Sequence, residues 1–126
     1  MSAISNEKMI FEYFLGLVGQ IKVFHWTTMS YSHHKALDDL HKSLSELVDE
    51  LIEVYMGKFN KQPIELFTIT MNATSDTSNL LGYLEEQREI IRSIRNKHFK
   101  SSSEIQNITD SMMSSISNTI YLCKLK

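Results

Sequence analysis

Apolar side chains recur every three or four positions along most of the chain, and the breaks in that rhythm divide it into predicted helices and links. Phe11, Phe14, Val18 and Ile21 keep the spacing through a first helix, from about Ser5 to about Thr28, and His25 falls on the same stripe. After a short polar link at Met29 to Ser32, the positions Leu37, Leu40, Leu44, Leu47, Leu51 and Val54 mark a second and longest helix that ends near Gly57. Asn60 to Ser75 holds the single proline, Pro63. Its apolar residues Ile64, Leu66, Phe67, Ile69 and Met71 follow no helical period, so the segment reads as a connection. A third helix is predicted from about Ser78 to about His98, with Leu80, Leu84, Gln87, Ile91 and Ile94 along one face. Ser101 and Glu104 have the spacing of a capping box, which opens a fourth helix with the stripe Ile105, Ile108, Met112, Ile116 and Ile120.

Link lengths select the topology. The short links make neighbouring helices antiparallel. A helix of about 25 residues is roughly 38 Å long, and an extended linker of about 16 residues reaches roughly 50 Å. The middle link can therefore run the length of the bundle and start the third helix parallel to the second. The expected fold is all-α: a ferritin-like four-helix bundle, two antiparallel helical hairpins joined by one long crossover, as one domain over residues 1–126.

Composition narrows this picture without changing it. A chain of 126 residues, 42% of them hydrophobic, fills one core and leaves no room for a second domain. Its 13 basic and 15 acidic residues give a net charge of -2 with no basic run, so electrostatics offers no reason to expect DNA or an anionic membrane as partner. The single cysteine, Cys123, excludes an internal disulfide and any Cys-based metal site, and reads as a small buried apolar residue. No signal-peptide pattern opens the chain, and no uncharged apolar run approaches the roughly 20 residues that span a bilayer. A soluble, cytoplasmic protein is expected.

Candidate chemistry concentrates on the second helix, where His34, Asp38, Asp49 and Glu53 are spaced H-x3-D-x10-D-x3-E. At 100° per residue they project at about 0°, 40°, 60° and 100°. They form one stripe between the leucine face and the outward-facing charges Lys35, Asp39, Lys42, Glu46 and Glu50. Each i,i+4 pair can aim two ligand atoms at one ion. Asp38 and Asp49, however, are roughly 16 Å apart along the axis, so the two pairs cannot serve one ion within one chain. They meet only if two copies of the helix pack antiparallel across a two-fold axis.

With the preceding dipeptide His25-Trp26, this pattern resembles the DNA-protection-during-starvation (Dps) family of miniature ferritins, over residues 25–57. The resemblance implies an iron-binding ferroxidase that oxidises Fe(II) with peroxide or dioxygen at sites shared between two-fold-related subunits, sequestering iron and limiting oxidative damage. It implies His25, His34 and Asp38 as metal ligands from one chain, Asp49 and Glu53 from its partner, and Trp26 close behind them. It also implies a homo-oligomer, at least a two-fold dimer and in the family's usual form a hollow shell. Imidazole and carboxylate suit iron, and Zn(II) or Mn(II) equally. The link between His25 and His34 is a few residues shorter than in typical members. The basic tail of DNA-binding members is missing, since Lys8, Lys124 and Lys126 do not amount to one.

Other residues receive structural expectations. His41 projects beside His34, where it assists the site or lines an interface. His33 starts the second helix, and His98 faces the last carbonyls of the third. Trp26 and Tyr31 pack at the mouth of the first hairpin. Met112 and Met113 fill the core, while Glu85, Glu86 and Glu89 form a solvated face. No Glu-x-x-His occurs, which argues against a di-iron site inside one bundle. Two alternatives from other classes stay open: a catalytically inactive helical oligomerisation or interaction protein that keeps the bundle, and a nucleic-acid-associated scaffold, which the charge count disfavours.

Overall fold

The structure, a computed structural model, describes residues 3–63, 66–73 and 79–125. Ile64, Ser75, the expected helix start at Ser78, and Lys126 lie outside the described residues. Among the described residues the chain forms helices α1 (Ala3–Thr27), α2 (Tyr31–Phe59), α3 (Leu80–His98) and α4 (Ser103–Lys124), with no strand. None of these helices is long and apolar enough to cross a membrane.

Each helix end has a local chemical cause. Ser30 caps α2 by accepting the His33 N–H, and Asn60 stops it in the left-handed region at φ 54°, its N–H returned to the Met56 carbonyl. The fourth helix is capped one residue later than the sequence suggests. Ser102, not Ser101, is fully buried and accepts the Ile105 N–H at 3.4 Å. Three consecutive serines offer equivalent hydroxyls, and burial of Ser102 selects among them. Glu104 consequently leaves the capping role and reaches the Lys58 ammonium at 2.8 Å. At the α3–α4 turn the Gln106 amide donates to the Phe99 and Lys100 carbonyls, while the His98 ring packs near Phe99.

The expected stripes form the core. Phe14, Ile21, Leu37, Leu40, Leu44, Leu51, Leu84, Ile91, Ile105, Met112 and Ile116 are buried together, joined by Ile10, Leu17 and Phe24 from α1. Leu47, Val54 and Val18 sit at its margin. Helix α2 packs against both α1 and α4, and α4 also packs against α3. Cross-helix bonds fix the directions. His33 to Cys123, Ser43 to Ser115 and Lys58 to Glu104 make α2 and α4 antiparallel. Arg88 to Ser117 and Arg95 to Asp110 do the same for α3 and α4. Lys22 to Asp38 and Phe11 to Tyr55 do so for α1 and α2. Helices α1 and α3 meet through side chains, with the Tyr13 hydroxyl on Gln87 and the Phe24 ring edge-on to Tyr83.

The described part of the connection travels along α1. Phe67 lies in the groove with Phe11 and Met56, Ile69 stands over Gly16, Met71 over Gly19, and Asn72 beside Gln20. Gln20 holds Asn72 at two points, donating to its carbonyl at 2.8 Å and accepting its N–H at 2.7 Å. Glycine costs helix stability of up to about 1 kcal/mol relative to alanine. Here it provides clearance: a Cβ on Gly16 would approach Ile69 to 3.3 Å, and one on Gly19 would overlap the Met71 side chain.

Two stability predictions follow from these contacts. Ser102→Ala removes a buried cap and should cost about 1 kcal/mol in denaturant unfolding. Burial first, then the neighbouring Tyr83 and Glu86, push the Tyr13 hydroxyl far above the ordinary tyrosine range; Tyr83 is raised by burial and by Glu86. The unfolded chain therefore ionises first. The stabilisation is complete below about pH 10 and is lost as pH rises from there toward the folded values. Urea midpoints measured from about pH 9 to pH 11 should fall less steeply for Tyr13→Phe than for the wild type.

Candidate metal centre

A turn of three residues, Thr28 to Ser30, separates α1 from α2. The Ser30 N–H donates to the Thr28 hydroxyl at 3.2 Å, and the Ser30 hydroxyl caps α2, so the turn is tied at both ends. This geometry stacks the last-turn His25 on the first-turn His34, ring centroids 3.9 Å apart and planes 21° apart. The short link therefore brings the two histidines together.

Each imidazole is held by the other residue's backbone. His25 Nδ1 lies 2.8 Å from the His34 carbonyl, and His34 Nδ1 lies 2.8 Å from the His25 carbonyl. A carbonyl oxygen only accepts, so both Nδ1 atoms carry the hydrogen. In the neutral rings this leaves both Nε2 atoms with a free lone pair, the tautomer a metal-ligating histidine needs. His25 is buried, and its Nε2 stands 3.8 Å from Asp38 Oδ1.

Asp38 has further company. Lys22 approaches the same oxygen at 3.9 Å, and Lys42, one turn along α2, approaches Oδ2 at 3.3 Å. Desolvation works against the charged carboxylate, but the Lys42 hydrogen bond, the charges of Lys42 and Lys22, and that of His25 when its ring is protonated outweigh it and hold the pKa below the ordinary aspartate value. His41 borders the group. Its pKa is lowered by burial and by Lys22, against an opposing pull from Asp38.

Asp49 and Glu53 stand apart from this cluster on the exposed second half of α2. Asp49 lines an apolar groove of about 500 Å³ with Leu15, Val18, Ile52, Met56 and Phe67. Among the described residues, no three of His, Cys, Asp or Glu are placed to hold a metal ion within one chain. The structure thus stacks His25 on His34 and sets His25 Nε2 near Asp38, short of a three-ligand group, and leaves Asp49 and Glu53 outside that cluster.

Two expectations are corrected. Trp26 and Tyr31 do not pack at the hairpin mouth; they are 68% and 77% exposed. Trp26 lies about 200° around α1 from the buried Phe24, and Tyr31 precedes the first buried residues of α2, Ala36 and Leu37. Lys22 and Lys42 were legible only in part: Lys42 is four residues from Asp38, an ordinary helical ion pair, whereas Lys22 reaches it from another helix. His33 does start α2, and its Nε2 donates to the Cys123 carbonyl at 3.0 Å, tying that start to the end of α4. Cys123, Met112 and Met113 are buried as expected, and Glu85, Glu86 and Glu89 are exposed.

The tautomer assignment is directly measurable. Long-range 15N–1H spectra of the neutral rings should show pyrrole-like Nδ1 and pyridine-like Nε2 for both His25 and His34, and a protonated Nε2 in either neutral ring would contradict the clasp.

Comparison with known proteins gives a family but no activity. A family of unknown function, DUF5856, matches residues 25–123, and the chain belongs to it. No curated protein and no solved structure matches the chain.

Proposed function

We propose that this member of the DUF5856 family is a short ferritin-like protein that takes up Fe(II) and oxidises it at sites shared between two copies of the chain. The observation that carries the reading is the reciprocal His25–His34 clasp, which orients both rings through Nδ1 and directs the Nε2 of His25 toward the Asp38 carboxylate. A histidine serving only to fill the core has no need of a fixed free lone pair. The helix directions support the ferritin-like part: α2 and α3 run parallel, and the connection between them follows α1.

In the proposed assembly the second copy contributes Asp49 and Glu53, which would complete a mixed imidazole and carboxylate set for the incoming iron. Carboxylates favour Fe(III) over Fe(II), so the site draws the oxidation forward. Each ion gives up one electron, and a pair of them reduces one hydrogen peroxide to water with two protons taken from solvent. Before iron binds, Lys42 and Lys22 neutralise Asp38, and the incoming ion displaces them.

A second reading draws on the same lysines. An assembly protein that keeps the bundle without the chemistry would retain Asp38 as the anion of an ordinary ion-pair cluster, and would form dimers that take up no metal.

Anaerobic Fe(II) titration followed by peroxide separates the two. Wild type should bind iron and oxidise it rapidly. The double variants His34→Ala/Asp38→Ala and Asp49→Ala/Glu53→Ala should each lose the activity while keeping their helical circular dichroism. Refolded together in equal amounts, they should recover about a quarter of the wild-type sites, because about half of the dimers are mixed and each mixed dimer regains one of its two sites. Undiminished oxidation by either double variant alone sinks the proposal, and metal-free dimers of the wild type favour the second reading.

A further inference from the structure

The apolar groove beside Asp49 and the exposed turn between α1 and α2 lie at opposite ends of one face. Leu15, on the edge of the groove, and Trp26, next to the turn, are eleven residues apart on α1 and project within about 20° of each other. Both are exposed, and Lys22 lies between them, reaching Asp38. The turn presents Trp26 at 68%, Met29 at 91% and Tyr31 at 77% exposure. Contiguous apolar surface of that kind marks an interaction site rather than a solvated end.

We propose that the groove receives the α1–α2 turn of a second copy of this chain, led by Trp26 and Tyr31, in a head-to-tail two-fold dimer. The inference rests on the shared-site reading and deepens it by naming what covers the ligand face.

Register, charge and shape lead to the same packing. The midpoint between Asp38 and Asp49 falls between Ser43 and Leu44, and so does the midpoint between His34 and Glu53. A two-fold axis crossing α2 there sets Asp38 opposite Asp49 of the second copy and His34 opposite its Glu53. The same axis sets Tyr31 opposite Met56, a wall of the groove. Trp26 stands level with the start of α2 and is carried over the same groove, toward Leu15 and Phe67 of the second copy. The charges follow the same symmetry. Lys22, Lys35, His41 and Lys42 surround Asp38 and Asp39 on the turn-proximal half of the face, which is net positive, and Glu46, Asp49, Glu50 and Glu53 occupy the other half. Head-to-tail packing opposes these halves, with His41 facing Glu46 and one carboxylate pair, Asp38 with Asp49, left for a cation to neutralise, whereas head-to-head packing would set the two acidic halves against each other. An isologous contact is self-complementary, so one knob and one groove per chain are filled twice.

A cysteine pair tests the register. Tyr31 and Met56 are 25 residues apart on one helix, roughly 38 Å, far outside disulfide reach within a chain. Tyr31→Cys/Met56→Cys should therefore give a covalent dimer under mild oxidation, with buried Cys123 left in place. Neither single variant should do so. Tyr31→Glu, with helicity unchanged, should weaken the dimer by about tenfold or more in sedimentation equilibrium, because it drives a charge into the apolar groove beside Met56. A reduced double-cysteine protein, or cross-linking by the Tyr31→Cys variant alone, overturns the proposed packing. A cross-linked dimer that takes up no iron upholds the packing and removes the iron reading. Recovery of oxidation on mixing the ligand variants, with the cysteine pair still reduced, does the reverse.

Discussion

The rotational setting of α2 governs everything else in this molecule. Leu37, Leu40, Leu44 and Leu51 are essentially without exposure, and together they fix which side of the helix faces inward. Fully burying a leucine contributes about 1.5–3 kcal/mol relative to leaving it exposed, so turning α2 by one residue would sacrifice several such contributions. With the leucines in place, α1 covers one flank and α4 another. What is left uncovered is the strip that carries His34, Asp38, Asp49 and Glu53. The chemistry of that strip is thus a by-product of core packing in its direction, though not in its composition.

The turn between α1 and α2 adds the second constraint. It is short enough that the last-turn histidine of one helix has to lie against the first-turn histidine of the next, and each ring then finds a carbonyl at a helix end. Terminal carbonyls and terminal N–H groups lack partners within their own helix. The His25 carbonyl, in the last turn of α1, is one of these and orients the His34 ring, while the His34 carbonyl, in the first turn of α2, orients the His25 ring in addition to its place in the helix. Burial of His25 protects that arrangement from competition by water, while Lys22 and Lys42 keep Asp38 charged beside it.

Much of this was legible in the chain itself, because a single helix reports its own period. The four elements, the long connection and the leucine face of α2 all follow from spacings of three and four. The same spacing separates Asp38 from Asp49 along the axis of α2. What escaped were properties held jointly by distant segments. Lys22 reaches Asp38 across two helices, and nothing in either helix announces it. The stripe read for α1 omitted Ile10, Leu17 and Phe24, because this helix is covered by α2, α3 and the connection and is apolar over a wide arc. The cap of α4 moved from Ser101 to Ser102 because burial, which no local pattern encodes among adjacent serines, chose the hydroxyl. Trp26 has the size and apolarity of a core residue, and only its angular place on α1 turns it outward.

The hold of Gln20 on Asn72 has a consequence for how the chain reaches this state. Contacts inside each hairpin join residues close in sequence, such as His25 with His34 or Arg95 with Asp110, and require little loop closure. The Gln20–Asn72 contact closes a loop of 52 residues, and the bond from His33 to Cys123 one of 90. Loop-closure entropy has to be met before such distant contacts repay it. The two hairpins are therefore the early units of assembly, and the segment laid along the glycines of α1 joins them late, when a preformed α1 surface is there to receive it.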